Sequence, residues 1–232
     1  MSIVSKAARK MRREISGFRR LRALTKAGFQ TAEPNYLFLA PKSDRPAVID
    51  IGCGFEAEFA VKWIKDFNAK ALIVDPTLKH EPHLQRLVDA HKPNLTHLRQ
   101  AVSKEETEIT FHESIENESG SLHSDHINVE AQTTNSYTVR STTIPALIAQ
   151  LGSDAVEMLK VDIEGAEFDL FDGFDFSALA NVRQLFVEFH HAQISSRDVS
   201  DTERLVAQFE ANGFDAATYD DTNYLFINKR LA

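Results

Sequence analysis

The chain has 232 residues, 43% of them hydrophobic, which suits one α/β domain with a substantial core and excludes a disordered or fibrous protein. Its formal net charge of −8 is unevenly spread: residues 1–28 hold nine Lys or Arg against one acid, Glu14, and the remainder carries −16, so the body should repel nucleic acid and anionic membrane. No apolar run reaches the roughly 20 residues that span a bilayer, and the single cysteine, Cys53, excludes an intramolecular disulfide and argues against a thiolate metal cluster.

Residues 1–30 read as a basic amphipathic helix. Ile3, Ala7, Met11, Ile15 and Phe18 recur at near-helical spacing, Leu21 and Leu24 continue the stripe, and Gly17 weakens it. The stripe is expected to pack on the domain formed by residues 31–232, with peripheral membrane or partner contact as the other readings. Apolar residues scattered among Arg and Lys do not make a signal peptide, and the low cysteine use fits a reducing cytoplasm.

From residue 47 the pattern changes to strands and helices in alternation. Residues 47–51 form a short apolar run ending at Gly52, as a buried parallel strand does. A helix is expected over 56–66, a strand over 71–74, a helix over 80–91 and a strand over 95–98. This βαβαβ order implies a parallel sheet with helices on both faces. Residues 107–112 read as an additional strand, and 113–135 as a polar functional or disordered loop. A helix over 142–151 and strands over 156–161 and 182–189 come next. A helix over 201–212 and an antiparallel hairpin over 215–219 and 223–228 complete the chain.

Ligands in doubly wound sheets sit at the carboxyl ends of the strands. Four such ends carry distinctive residues. Asp50-Ile-Gly52-Cys-Gly54 places two glycines where backbone must approach a ligand. Asp75, at the end of the next strand, has the spacing of an acid that binds the ribose hydroxyls of an adenosine-type ligand. Asp162, Glu164 and Glu167 cluster past the strand over 156–161, with Glu167 read as a helix-N-terminal acid. Glu188 and His190 share a strand face, so they are candidates for a general base or a metal pair. The pairs His80/His83 and His123/His126 read as surface residues, and Cys53 as a small buried residue.

Residues 48–54, Val74-Asp-Pro76, Ala101-Val-Ser103 and the string Leu159-Lys-Val-Asp-Ile-Glu-Gly-Ala-Glu-Phe168 resemble the FkbM-type S-adenosylmethionine-dependent methyltransferases, and Glu188-Phe-His190 is similar to the ending of that family's next strand. The resemblance implies a class I Rossmann-like fold with a seven-stranded, mostly parallel sheet and an antiparallel C-terminal hairpin. It implies cofactor contacts at Asp50, Gly52, Gly54, Asp75, Ala101, Ser103 and Asp162. The acceptor it implies is a hydroxyl on a sugar or secondary metabolite. On that basis Asp162, Glu188 and His190 are the expected catalytic residues, with His190 the base oriented by Glu188, and a divalent metal on the three as a further reading. The chain departs from the family at Glu56, where a third glycine is usual, and at Asp75, where glutamate is more common. Two other classes stay open at this stage. A nucleotide-dependent oxidoreductase is disfavoured because its fingerprint needs a glycine where Ala57 stands. A non-catalytic adenosyl-binding protein is favoured only by Glu56.

Overall fold

The computed structural model describes residues 16–32, 36–129 and 134–232. Residues 16–26 form helix α1, so the expected helix is seen only in its second half; Ile3, Ala7, Met11 and Ile15 lie outside the described residues. Leu24 packs against the domain core, while Phe18 is 68% exposed. Arg20 holds the helix to the domain through two hydrogen bonds to Asp221, at 2.6 and 3.0 Å. Gly17 permits the approach, because a Cβ there would lie 3.0 Å from the Tyr219 carbonyl oxygen.

A hairpin of β1 (Phe29–Ala32) and β2 (Tyr36–Leu39) follows. The central sheet then alternates with helices: β3 (Ala47–Ile51), α2 (Glu58–Phe67), β4 (Lys70–Val74), α3 (Glu81–His91) and β5 (Leu95–Leu98). The chain returns to the middle of the sheet with β10 (Val156–Val161), α5 (Glu167–Phe171), β11 (Val182–Glu188), α6 (Val199–Ala211), β12 (Phe214–Thr218) and β13 (Asn223–Asn228). The strand order is β12-β13-β11-β10-β3-β4-β5. Strands β5, β4, β3, β10 and β11 are mutually parallel, and β13 inserts antiparallel between β11 and β12. This is the class I methyltransferase topology, and its switch in direction falls between β3 and β10, where doubly wound sheets open a ligand crevice.

Side chains alternate across the sheet and feed two cores. Ile49, Ile51, Leu72 and Val74 face α5, α6 and α4 (Ile144–Leu151), where Phe168, Phe171 and Phe209 are fully buried. Val48, Ile73 and Met158 face α2, α3 and β2, around Trp63, Phe59 and Phe38. Each such side chain contributes roughly 1.5–3 kcal/mol by leaving water. Local signals set the helix ends. Thr143 accepts a hydrogen bond from the Ala146 amide at 3.3 Å, Pro145 occupies the first turn, and Gly152 closes α4 in the left-handed conformation. Asp198 and Asp201 form a reciprocal capping box on α6.

The polar stretch 113–135 is a loop over most of its described residues and lines the cavity through Glu118, Ser119 and Leu122, but its two ends and residues 120–121 join strands. A four-stranded sheet of order β6-β9-β7-β8 stands beside the central one, built from β6 (Ala101–Val102), β7 (Glu108–Ser114), β8 (Gly120–Ser121) and β9 (Thr134–Thr142). β9 ends at Thr142 and Thr143 caps α4, so the helix expected over 142–151 starts two residues later. Among the described residues, no helix is long and apolar enough to cross a membrane.

Candidate functional site

The crevice at the switch point opens into a cavity of about 320 Å³. Gly52 and Gly54 border it from the turn after β3, Asp75 and Thr77 from the end of β4, and Asp162 and Glu164 from the end of β10. Ala101, Phe111, Gly120 and Leu122 close it from the second sheet. Asp75, Glu118, Asp162 and Glu164 contribute four carboxylates, and no Lys or Arg is among the described residues that line it.

Gly52 is fixed by crowding. Its φ is +71°, and a Cβ there would sit 1.6 Å from the Asp162 carbonyl oxygen. The tips of β3 and β10 can therefore touch only with glycine at this point. Glu56, by contrast, is exposed and lies outside the cavity lining, so the carboxylate in the usual glycine position does not crowd the crevice.

Asp75 is buried and already engaged. Its Oδ1 accepts from the Thr77 amide at 2.9 Å, and its Oδ2 accepts from the Gly54 amide at 3.0 Å and faces His80 Nδ1 at 3.4 Å. Burial pushes its pKa up, but the hydrogen bonds from His80 and Thr77 outweigh this and hold it below the usual carboxylate value. His80 is not the surface residue expected from its spacing with His83. It is 3% exposed and borders the cavity, and its buried Nε2 has no hydrogen-bond partner among the described residues. Phe55 packs on both rings, with centroids 5.8 Å from His80 and 4.0 Å from His83.

Asp50 and Ser103 fall outside the cavity lining. Asp50 is fully buried on the α2 side of the sheet, where it accepts from the Ala60 amide at 3.3 Å. Its partner in the parallel register is Lys160, and the two form an ion pair at 3.2 Å. Lys160 also donates to the Gly52 carbonyl at 2.9 Å and lies 3.3 Å from Asp162 Oδ2. One buried cation thus joins the glycine turn to both acids. Burial would lower its pKa, but Asp50 and Asp162 hold it well above the usual lysine value. Ser103 Oγ turns away to donate to the Glu105 carbonyl at 2.7 Å.

Asp162, Glu188 and His190 do come together, beside the cavity and on the ends of β10 and β11, with one ligand atom from each lying within 4.8 Å of the others. The orientation of the imidazole differs from expectation. Its partner is Glu167, 2.8 Å from Nδ1, whereas Glu188 lies 4.0 Å from Nε2. Glu167 is fully buried and also accepts from the Ile163 amide at 2.9 Å, so it is a structural anchor rather than a solvated helix-terminal acid. Burial alone would lower the His190 pKa, but Glu167, Asp162 and Glu164 raise it to about 10. In this arrangement the ring carries its proton at neutral pH and cannot take another. Burial and the Asp162 charge push Glu188 up to about 7. His126, read as a surface residue, is 1% exposed and pairs with Glu164 at 2.9 Å. Glu164 itself sits at φ 51°, a strained conformation for a residue with a Cβ. Cys53 is buried, as expected.

Comparison with known proteins places this geometry in a family. The Methyltransferase FkbM domain matches residues 50–216, which takes in all four strand tips. A 44-residue stretch is 43% identical to the AMB antimetabolite synthetase AmbE of Pseudomonas aeruginosa, spanning 19% of this chain and 2% of that protein. Among solved structures, a fibrillarin/Nop5p complex is similar over 79% of this chain and 72% of that one, with 10% identity and a TM-score of 0.48. The Methanococcus jannaschii fibrillarin pre-rRNA processing protein is similar over 83% of this chain and 70% of that one, with 10% identity and a TM-score of 0.45. By the extent of the domain match, the chain belongs to the FkbM methyltransferase domain family.

Proposed function

We propose that the chain transfers the methyl group of S-adenosylmethionine to a hydroxyl oxygen of a small molecule or glycan. The observation that carries this reading is the charge of the cavity: four carboxylates and no Lys or Arg among the described lining residues. A dinucleotide would bring its pyrophosphate into that field, whereas a donor with a sulfonium and an ammonium meets opposite charge. The residues present fit such a donor. Gly54 borders the cavity with no atom within 4 Å of where a Cβ would stand, and the buried Nε2 of His80 lacks, among the described residues, a partner that a ligand hydroxyl or ring nitrogen can supply.

S-adenosylmethionine supplies an electrophilic methyl carbon, displaced in line to leave neutral S-adenosylhomocysteine. The protein's part is alignment, exclusion of water and care of one proton. Asp75 and His80 take the ribose side, and Ala101 with Leu122 gives an apolar surface for the adenine. Asp162, held by Lys160 at 3.3 Å, stands between the donor cavity and the cluster of Glu188 and His190. The acceptor hydroxyl binds at that cluster, and its proton passes to the carboxylates as the carbon–oxygen bond forms. Helix α1 serves to pack on the domain through Arg20 and Leu24.

The test is a transfer assay with methyl-labelled S-adenosylmethionine and a pool of hydroxylated metabolites and oligosaccharides. Label is expected in a product stable to mild base, as an ether is. Turnover should fall at least a hundredfold in Asp162→Asn, with donor affinity changed far less. Label found only in base-labile esters or in no product refutes the reading.

A further inference from the structure

The region around His190 is built like a metal site. The ring is 4% exposed, and its Nδ1 is held by Glu167 at 2.8 Å, which leaves Nε2 pointing into a ring of carboxylates. Asp162, Glu164 and Glu188 face that nitrogen at 3.6, 3.7 and 4.0 Å, all beyond hydrogen-bonding distance. The ring thus pairs closely through Nδ1 with Glu167, while Nε2 faces three carboxylates across 3.6–4.0 Å and closes on none of them. Ligand atoms around a first-row cation with bonds near 2.1 Å stand about 3–3.5 Å apart, so sub-ångström side-chain shifts would close the ring on an ion.

The surroundings support the same reading independently of the acids. A carboxylate on the far nitrogen of a histidine fixes the tautomer and orientation that a metal ligand needs. Glu167 does this from a fully buried position, anchored in turn by the Ile163 amide. Lys160 holds Asp162 by Oδ2, which leaves Oδ1 to face His190. His126 holds Glu164 at 2.9 Å. Each inner group is thus braced by an outer one.

We infer that Asp162, Glu188 and His190 form a binding site for one first-row divalent cation, which takes the place of the proton on His190 Nε2 and releases it to solvent. The mixed set of two carboxylates and one imidazole suits Mn²⁺ or Zn²⁺ better than Mg²⁺, which favours oxygen ligands. Asp162 also borders the donor cavity, so the ion sits where the acceptor arrives. Its use in catalysis rests on the proposed methyl transfer: the cation would ligate the acceptor oxygen and acidify it. With the ion in place the acceptor proton leaves to solvent instead of to the ligating carboxylates, the oxygen–methyl bond forms, and the sulfur keeps the electron pair of the broken bond. Cation binding itself does not depend on that reading.

The experiment uses the full chain, stripped with EDTA and dialysed. Free Mn²⁺ is followed by electron paramagnetic resonance during titration with MnCl₂, and bound Mn²⁺ is then challenged with ZnSO₄. One Mn²⁺ per chain, displaced by Zn²⁺, is expected. Glu188→Gln and His190→Gln should weaken binding at least tenfold, and Asp215→Asn, on an exposed acid far along the sheet, should not. Should His190→Gln fail to fold, Glu188→Gln carries the comparison. Absence of Mn²⁺ binding, or equal affinity in wild type and Glu188→Gln, overturns the site. Calorimetry with S-adenosylhomocysteine runs in parallel. Donor-product binding without cation binding overturns the metal site alone, and cation binding without donor-product binding overturns the methyl-transfer reading alone.

Discussion

Replacing Asp75 by Asn tests how the donor cavity is held together. A carboxylate offers about four lone-pair sites. The Thr77 amide, the Gly54 amide and His80 occupy three of them, at 2.9, 3.0 and 3.4 Å. One site is left for a ligand hydroxyl. An asparagine keeps a single acceptor oxygen, and its amino group would confront either a backbone N–H or the His80 ring. Whichever rotamer it takes, a buried donor or a ligand hydroxyl goes unpaired, at a cost of about 1–3 kcal/mol. If the ligand bears that cost, affinity for S-adenosylhomocysteine falls about 5- to 150-fold, at 1.4 kcal/mol per factor of ten. Calorimetry reads the binding share, and urea unfolding of the ligand-free chain reads any share that falls on the turn. Asp75→Ala removes every acceptor and should lose more on both counts. An Asp75→Asn protein with wild-type stability and affinity within twofold would refute this account of the turn.

Other perturbations probe the rest of the site. Gly52→Ala forces a Cβ to within 1.6 Å of the Asp162 carbonyl oxygen unless the strand tips part, so thermal stability and S-adenosylhomocysteine binding should fall together; retention of both would show that the two tips are not locked. Lys160→Met strands the fully buried Asp50 carboxylate without a cation and should cost about 3–5 kcal/mol by urea denaturation, with part recovered on adding Asp50→Asn. No recovery would mean that charge burial is not the cause. His123 faces Asp169 at 3.1 Å and Asp125 at 4.0 Å, and its pKa is raised above the usual histidine value by Asp169 against the effect of burial. The stabilisation is therefore full below about pH 6.5, the unfolded value, and fades as pH rises through the folded one. The Asp169 pKa is lowered by His123, and Arg197 also pairs with Asp169 at 2.7 Å, so acid erodes the contact as pH falls below about 4, the unfolded value, through the folded one. The stability gap by urea denaturation between wild type and His123→Gln should be widest near pH 5–6 and narrow as pH rises above that, within about 1 kcal/mol throughout. A gap that widens with pH would contradict the sign.

The strand tips were legible because their chemistry departs from the strands that carry them. Glycines after residues 47–51, an aspartate after 71–74, and acids with a histidine after 156–161 and 182–189 all stand out against buried apolar runs. Of the second sheet only β7 was legible, as the strand expected over 107–112. Thr134–Thr142 buries only Val139, Ser141 and Thr142, so its polar surface hides a strand whose side-chain partners on β7, His112 for Ser136 and Glu113 for Tyr137, meet only in the folded sheet. β2 is four apolar residues, too short for periodicity to separate strand from loop. His80 and His126 looked like surface residues because sequence spacing cannot reveal that Asp75 and Glu164 wait for them across the fold. The same holds for Glu167, whose position at the start of α5 has a ready local explanation in the helix dipole. The ion pair of Asp50 and Lys160 follows directly from the parallel register, which the motif alone does not supply.

A crystal structure of the chain with S-adenosylhomocysteine bears most directly on the claim that this cavity grips an adenosyl donor. The account predicts the adenosine bounded by Asp75, His80 and Ala101, with the sulfur directed toward Asp162 and the cluster beyond it. Ordered ligand elsewhere on the chain, or an unfilled cavity at saturating ligand, would contradict it.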